Sequence, residues 1–406
     1  MISMKEYSKL FFHIDVNSAF LSWSAVKNLQ QGGSLDLRTI PAIIGGDRAA
    51  RHGIVLAKSI PAKKYGIETA EPIVNALRKC PSLVIEPPDM PLYKERSREL
   101  MEYLSNICPD IEQVSIDECY MDFTPVAYRY SSPEEAADMI RTEVRTSFGY
   151  TVNIGISDRK VLAKMASDFE KPDKTHTLFS DEIEEKMWPL PISGLFMCGH
   201  SSQKILHTLG ITTIGELART DLSILTAHLK SHGRTLYEYA NGIDSSVVIT
   251  WQEEAKGVGH STTLSKDVLN AGEAYEVLKD LANQVSRRLK AGNHLAGSLC
   301  TEIKYATFQS VSHQTILAAP SADPQVIYKT ACRLFDDLWD KTPIRLLGIR
   351  ATRLTDRSAP VQMSIFDYDE QKSKEMEKQQ KLDDALENIR KKYGNEAITR
   401  GTKRNP

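Results

Sequence analysis

Hydrophobic and polar residues alternate in short runs along the first part of the chain. LFFHIDV, at 10–16, has the pattern of a strand, and the following NSAFLSWSAVKNL has that of a helix. IEQVSIDECYMDFT predicts two strands that meet at Asp117 and Glu118. Helices are predicted for YKERSRELMEYLSNI, SPEEAADMIRTEVRTSF and KVLAKMASDFEK, and a strand for YTVNIGIS. This order of elements predicts an antiparallel or mixed sheet with helices on one face.

The rest of the chain separates into further segments. Short strands, TIPAIIGG and GIVLAKS, flank the basic turn GGDRAARHG, so residues 27–88 are expected to form a small lobe. Short helices with tight turns are expected over 179–245. Between 256 and 356, the strands SLCTEIKYATF and IRLLGIRATRL alternate with two helices, which predicts a second small α+β domain. The fold class is therefore multidomain α+β.

The C-terminal segment is polar and charged. Leu382, Leu386, Ile389 and Tyr393 recur within it at helical spacing, which predicts an amphipathic helix.

Composition limits the function classes. A chain of 406 residues, 41% hydrophobic and 26% charged, is expected to form two to four globular domains. No signal peptide or membrane-spanning run is found, which points to the cytosol. Six scattered cysteines without a C-x-x-C pair are expected to be reduced and structural. A net charge of −2 argues against polyanion binding over the whole surface, although local basic faces remain possible.

Three acids carry the candidate chemistry. Asp15 ends the first predicted strand, and Asp117 and Glu118 lie where two strands meet. All three can point to one edge if the strand ends are neighbours, and divalent cations would then relieve their repulsion. Hard oxygen ligands favour Mg²⁺. A polar hairpin turn explains the adjacent acids equally well at this point.

HIDVNSAF, SIDECYMDF and NIGISDRKVLAKMASDFEKP together resemble the palm signatures of the Y-family DNA polymerases, the DinB/UmuC-like translesion enzymes. The resemblance continues through LHTLGI, YEYANGID, GHSTTLSKDV and RLLGIRATRL, and so covers nearly the whole chain. It implies a polymerase whose domains are arranged like a right hand. The expected domains are a palm at 1–26 and 89–178, fingers at 27–88, a helical thumb at 179–245, a little finger at 246–356 and a charged tail at 357–406.

The resemblance implies template-directed, low-fidelity DNA synthesis past lesions, with primer-template DNA and dNTPs as substrates. Asp15, Asp117 and Glu118, with the backbone carbonyl of Val16, would bind two Mg²⁺ ions. Lys171 would contact the incoming triphosphate, although a solvated surface lysine is the alternative. Phe20 lies where the family has its steric gate against the 2′-hydroxyl, although an apolar residue in such a helix is more often core.

The fingers depart from the family pattern. In KSIPAKKYGI, Ile60 replaces the usual tyrosine and Lys63 the usual arginine. Ile60 cannot donate a hydrogen bond, and Lys63 lacks the bidentate fork, so weaker or rearranged triphosphate binding is expected. Arg48 or Arg51 in the nearby basic turn are candidates to compensate.

The thumb also departs from the pattern. FMCGHSSQKILHTLGI resembles a helix-hairpin-helix, whose turn presents backbone N–H groups to a DNA phosphate. Met197 replaces the first glycine and Gly199 is retained, so an ordinary helical hairpin is the alternative. Residues 256–356 hold thirteen lysines and arginines against ten acids, in keeping with phosphate contacts from the little finger.

QMSIF, at 362–366, resembles the sliding-clamp-binding peptide of bacterial polymerases. Gln362 would bind at the rim of a pocket that Ile365 and Phe366 fill, although the peptide could instead fold back on its own little finger. We expect a cytoplasmic, nucleoid-associated monomer.

Two rival functions remain open. A nucleotidyl cyclase or metal-dependent nuclease could use the same acids, but neither explains the thumb together with the clamp peptide. A clamp- and DNA-binding accessory with weak catalysis is suggested by Ile60 and Lys63, but it would not need the three acids and Lys171.

Overall fold

A computed structural model describes residues 8–46, 53–251, 254–357 and 370–394, with side chains from 378 onward in the last range. The chain divides into two compact units, the first made of Met1–Glu254 with Thr263–Ser265 and the second of Ala255–Thr262 with Lys266–Pro406. Among the described residues, no helix combines the length and the apolar character required to cross a membrane.

Strands and helices are numbered in chain order. The strands are β1 (Phe11–Val16), β2 (Ala42–Gly45), β3 (Val55–Lys58), β4 (Val84–Glu86), β5 (Ile111–Gln113), β6 (Glu118–Asp122), β7 (Val152–Ser157), β8 (Thr175–Thr177), β9 (Gly257–Val268), β10 (His294–Tyr305), β11 (Ser310–Ser321) and β12 (Ile344–Asp356). The helices are α1 (Ala19–Gln30), α2 (Ile60–Lys64), α3 (Ile73–Lys79), α4 (Met90–Ile107), α5 (Pro133–Glu143), α6 (Lys160–Ser167), α7 (Ile183–Lys186), α8 (His200–Thr208), α9 (Ile214–Arg219), α10 (Leu222–Leu229), α11 (Ser231–Ala240), α12 (Ala271–Ala291), α13 (Pro324–Leu338) and α14 (Glu370–Tyr393).

The first unit is organised around a sheet of order β5-β6-β1-β7-β8. Strand β1 lies at its centre, antiparallel to both β6 and β7, whereas β7 and β8 are parallel. The prediction of an antiparallel or mixed sheet is confirmed as mixed. The predicted helix after residue 132 is confirmed too, because the Ser132 side chain caps α5 by accepting a hydrogen bond from the Glu135 backbone N–H.

Helices cover both faces of this sheet, so the prediction of helices on one face is wrong. Phe12 and Ile14 of β1 join a buried cluster with residues of α1, α4 and α5. Phe11 and His13 point to the opposite face, since side chains alternate along a strand. There, Phe11 is clustered with Ala163 of α6.

A glycine allows α6 to approach the sheet closely. Gly155 of β7 pairs with His13 of β1, and a Cβ at Gly155 would lie 1.9 Å from the carbonyl oxygen of Ala163 and 2.4 Å from the backbone nitrogen of Ser167. Any side chain here would push α6 away. The helix therefore brings its own side chains directly against the ends of β1 and β6.

The remaining elements of the first unit form two smaller groups. Strands β3-β2-β4 make a small sheet, with α2 and α3 nearby in sequence. Helices α7 to α11 share a hydrophobic cluster with residues of α6, which matches the short helices predicted over 179–245.

The second unit contains a sheet of order β11-β10-β12-β9, contacted by α12 and α13. Strands β10 and β12 are the two that the sequence predicts. Strands β9 and β11 are additional, and they lie at the two edges of the sheet.

Candidate active site

The ends of β1 and β6 place two of the three predicted acids side by side. Asp15 is the residue before the end of β1, and its direct partner across the antiparallel pair is Glu118, the first residue of β6. Asp117 precedes β6, and its carbonyl accepts a hydrogen bond from the Val16 backbone N–H at 3.0 Å. Directly paired residues point to the same face, so Asp15 and Glu118 both point to the face covered by α6.

Asp117 is the acid without a basic partner among the described residues. Its carboxylate accepts a hydrogen bond from the Ser115 hydroxyl at 2.6 Å. Burial raises the pKa of Asp117, and the neighbouring charges of Asp15 and Glu118 raise it further, against the opposing effect of the Ser115 bond. This carboxylate therefore carries uncompensated charge, which a cation would neutralise.

Lys164 of α6 contacts both acids of this pair. Its Nζ lies 2.9 Å from Glu118 Oε2 and 3.5 Å from Asp15 Oδ2. Burial acts to lower the pKa of Lys164, but the charges of Asp15 and Asp168 and the bond to Glu118 outweigh burial, so the pKa is raised. Lys164 is therefore an ammonium ion at neutral pH.

His13 also contacts Glu118. It is 1% exposed, with Nε2 at 3.4 Å from Glu118 Oε2 and Nδ1 at 2.9 Å from the Ser167 hydroxyl oxygen. Burial lowers the pKa of His13, so the ring is neutral at pH 7 and the contact with Glu118 is a hydrogen bond. That bond, followed by the bond from Lys164, lowers the pKa of Glu118 to about 2 despite its burial.

Lys171 completes the cluster from the loop after α6. Its Nζ lies 2.8 Å from Asp15 Oδ1 and 2.9 Å from Asp168 Oδ1. The opposing charges of these two acids outweigh burial and raise the pKa of Lys171. The predicted triphosphate lysine is thus brought to the predicted metal-binding acids.

Phe20 lies on the first turn of α1, close in sequence to Asp15. Its ring is partly exposed and stacks on the ring of Tyr93, with centroids 4.5 Å apart and planes 8° from parallel. The hydroxyl of Tyr93 is itself within 2.9 Å of the Ser24 hydroxyl. The Phe20 ring is therefore held in place by stacking, while part of its surface remains accessible to solvent.

The fingers residues lie on α2. Ile60 is its first residue and is 49% exposed, and Lys63 is also exposed. The Ser59 side chain caps the helix by accepting a bond from the Ala62 backbone N–H. Neither Ile60 nor Lys63 has a described contact with the carboxylates, and Arg48 and Arg51 lie outside the described residues.

In the thumb turn, Met197 has a backbone conformation that suits the glycine it replaces. Met197 adopts φ 68°, a left-handed conformation that favours glycine, and its side chain is 54% exposed. Gly199 precedes α8 with ordinary extended backbone, and its N–H donates to the Met197 carbonyl. The Gly199 N–H is therefore used within the turn.

The clamp-like peptide with Gln362, Ile365 and Phe366 lies outside the described residues. The helix predicted after it is present as α14, and Arg357 donates to Asp384 at 2.6 Å. Leu382 and Tyr393, two residues of the predicted apolar stripe, are 52% and 67% exposed.

Sequence reasoning missed Lys164 and His13. Both carried a signal: His13 is two residues before Asp15 and so shares its face of the strand, and Lys164 lies in the predicted helix KVLAKMASDFEK, seven residues before Lys171. Neither signal is useful until α6 is known to lie on that face.

The three carboxylates offer oxygen ligands of the kind that hard divalent cations prefer. Three carboxylates converge at the strand ends, and the charge of Asp117 is not balanced by a lysine or arginine in the described ranges. Within those ranges, no group of three or more His, Cys, Asp or Glu side chains is arranged as a ready cation site. Lys164 pairs with Glu118 and Asp15, and Lys171 pairs with Asp15.

Comparisons with known proteins identify related sequences and a related fold. Residues 14–168 match the model of the impB/mucB/samB family, and residues 255–365 match the model of that family's C-terminal domain. A protein of Clostridium acetobutylicum named DNA polymerase IV is 44% identical over 393 residues, covering 97% of this chain and 98% of that protein. DNA polymerase IV 1 of Bacillus subtilis is 35% identical over 97% of this chain and 93% of its own length.

Among solved structures, a chimeric Y-family DNA polymerase has the same fold. Its TM-score is 0.75, and the match covers 86% of this chain and 99% of the chimera at 21% identity.

Proposed function

The chain belongs to the impB/mucB/samB family of Y-family, DinB/UmuC-like DNA polymerases, and from this premise we propose that Asp15, Asp117 and Glu118 form the centre of its active site. The enzyme is a DNA-directed DNA polymerase of the translesion class, which extends a primer on template DNA from dNTPs. The observation that supports the site best is the direct pairing of Asp15 with Glu118 next to Asp117.

Y-family polymerases depend on divalent metal, and we assign two Mg²⁺ ions to Asp15, Asp117, Glu118 and the Val16 carbonyl. Bound there, the ions would activate the primer 3′-hydroxyl and stabilise the leaving pyrophosphate. The protein supplies the fixed carboxylates, and the strand pairing sets their spacing before any ligand binds.

The two lysines supply positive charge at the same place. Lys171 pairs with Asp15 Oδ1 and is proposed to contact the triphosphate, which also has to lie beside the metal-binding carboxylates. Lys164 holds Glu118 and Asp15 from the side of α6. Both lysines are charged at neutral pH, so each can exchange a carboxylate partner for a phosphate oxygen.

Phe20 is proposed as the steric gate. Its ring is held by stacking on Tyr93 while part of it remains accessible, which suits a surface that a deoxyribose can pack against and a 2′-hydroxyl cannot.

The fingers and thumb are proposed to contribute weaker contacts. Lys63 is exposed and can approach the triphosphate as a single charge, whereas Ile60 can offer only apolar contact. At the thumb, the Gly199 N–H is already bonded, so a DNA phosphate is expected to meet the following amides at the start of α8.

The tail is proposed to bind a sliding clamp through Gln362, Ile365 and Phe366. Two apolar side chains in an otherwise polar segment fit an apolar cleft on a partner. We further propose a monomer in the cytoplasm, associated with the nucleoid through DNA.

Primer extension tests the proposed function. Purified protein with Mg²⁺ and all four dNTPs should lengthen a primed template in the order that the template dictates. Nucleotide cyclisation or DNA cleavage without extension would support the cyclase or nuclease alternative. DNA and clamp binding without extension would support the accessory alternative.

A further inference from the structure

Two buried asparagines lie beside the carboxylates. Asn153 of β7 is 0% exposed and pairs directly with Asp15, so Glu118, Asp15 and Asn153 form one row across three strands. Asn17 follows β1 and is 8% exposed. The Asn17 amide nitrogen donates to the Asn153 side-chain oxygen at 3.0 Å, which links the two residues into one amide pair.

Asn153 uses its full hydrogen-bonding capacity. Its amide nitrogen donates to the carbonyls of Ser167 at 3.1 Å and Glu170 at 2.7 Å. Its side-chain oxygen accepts from Asn17 and from the Lys174 backbone N–H, the latter at 3.3 Å. A primary amide offers two donors and two acceptor positions, and all of them are occupied here.

Asn17 continues the same network. Its side-chain oxygen accepts from the Asp173 backbone N–H and from the Thr151 hydroxyl, each at 2.9 Å. Together, Asn17 and Asn153 bond to backbone groups at both ends of the loop between α6 and β8.

The held loop carries Lys171. Its backbone is fixed at Glu170 immediately before the lysine and at Asp173 shortly after it. Asp173 adopts φ 57°, a left-handed conformation that a non-glycine residue rarely adopts without support, and Arg141 also donates to its side chain. The Lys171 ammonium that contacts Asp15 is therefore carried by a backbone that is held on both sides of it.

The contacts require an amide at position 153. Aspartate has the same shape but no donor, and it would set a buried charge against the Ser167 and Glu170 carbonyls. Serine has a single donor and a shorter reach. An asparagine side chain therefore supplies two donors for the carbonyls of Ser167 and Glu170 and an acceptor for the Lys174 N–H.

We propose that the Asn17–Asn153 amide pair is the positioning device that holds Lys171 for the incoming triphosphate and so sets the affinity for dNTP. This proposal rests on the proposed function. Neither asparagine touches the nucleotide in this account, since both act through the backbone of the loop.

A double-mutant cycle with Lys171 tests the proposal. In single-nucleotide insertion, Asn153→Ala and Asn17→Ala should each raise KM for dNTP by roughly tenfold or more and change kcat less, because misplacement weakens binding. Combined with Lys171→Ala, the same substitutions should add less than about twofold. If Asn153→Ala does not fold, Asn17→Ala carries the cycle.

Thr151→Val is the matched control, since it removes a hydrogen bond from Asn17 without touching the loop. Its KM should stay within about twofold of the parent. Amide hydrogen exchange gives a second readout: the Asp173 and Lys174 N–H groups should exchange faster in Asn17→Ala and Asn153→Ala, and at the parent rate in Thr151→Val.

The outcomes separate the two claims. Absence of extension by the parent enzyme would overturn the proposed function. Extension by the parent, with equal KM increases in the Lys171 and Lys171→Ala backgrounds, would overturn only the positioning role, as would unchanged exchange at Asp173 and Lys174.

Discussion

Nζ of Lys171 lies 2.8 Å from Oδ1 of Asp15, although 156 residues separate them in the chain. The second oxygen of Asp15 faces Lys164 at 3.5 Å, so each oxygen of this carboxylate has a lysine of its own. Among the residues that the structure describes, the Asp117 carboxylate is bonded to a side-chain hydroxyl and to no basic group. The charges of Asp15 and Glu118 are therefore balanced by lysines, whereas the charge of Asp117 is not balanced by a described basic residue.

The approach of α6 to the sheet depends on Gly155. Gly155→Ala should lower the free energy of unfolding by about 3 kcal/mol or more, because the added methyl meets backbone atoms of α6 that cannot rotate away. Chemical denaturation measures this change. Gly194→Ala is the control, since nothing lies within 4 Å of its Cβ position, and it should change stability by less than about 0.5 kcal/mol. Equal stability of the two variants would mean that α6 packs less closely than described.

Acid sensitivity should depend on Glu118. Its pKa is lowered from 4.5 to about 2 in the folded chain, so it stabilises folding above about pH 4.5 and loses that contribution as pH falls towards 2. Glu118→Gln should therefore flatten the acid side of the stability profile, measured by denaturation with chelator present. The difference from the parent should be on the order of 2 kcal/mol at pH 7 and should shrink at low pH.

Glu102→Gln serves as the control for that profile, since Glu102 is 69% exposed on α4. It should follow the parent curve. Parallel curves for the parent and Glu118→Gln would show that Glu118 gains nothing from His13 and Lys164.

Phe20→Ala should admit ribonucleotides, because the proposed exclusion is steric and disappears with the ring. The ratio of dNTP to rNTP incorporation should fall more than dNTP incorporation itself. Leu21→Ala on the same helix is the control: Leu21 is 1% exposed, so this variant should lose about 2–5 kcal/mol of stability and keep its sugar discrimination. Unchanged rejection of rNTPs by Phe20→Ala would assign Phe20 to the core.

The clamp peptide should act by tethering. Replacing Ile365 and Phe366 by alanine should leave clamp-free synthesis unchanged and remove stimulation by a loaded clamp, since each buried side chain contributes roughly 1.5–3 kcal/mol of binding. Product length on a long primed circle measures this effect. Leu382→Ala with Ile389→Ala, an apolar pair farther along the tail, should keep the stimulation. Loss of clamp-free activity in the first variant would indicate that the peptide packs on its own protein.

The sequence predicted the parts of the fold that have strong periodicity. Strand β1, the β5-β6 junction and the helices α4 and α5 all follow from apolar spacing and caps. The edge strands β9 and β11 were missed because many of their side chains are exposed, and an edge strand needs no regular apolar pattern.

The adjacency of the predicted acids could be inferred from the sequence, because alternation along a strand shows which residues share a face. The polar residues around them were missed. Lys164 and Asn153 gain their contacts only once α6 is packed against Gly155, which is a tertiary relation. Periodicity within one element carries no information about which element covers its face.

The most direct test of the account compares the parent with Asp117→Asn in two measurements on the same preparation. The amide can keep the Ser115 contact and removes a charge that Asp15 and Glu118 repel, so stability should equal or exceed that of the parent. Template-directed primer extension with Mg²⁺ should fall by about a thousandfold or more, because a metal-binding oxygen anion is lost. A folded, equally stable Asp117→Asn protein that extends primers at near the parental rate would contradict the assignment of the active site.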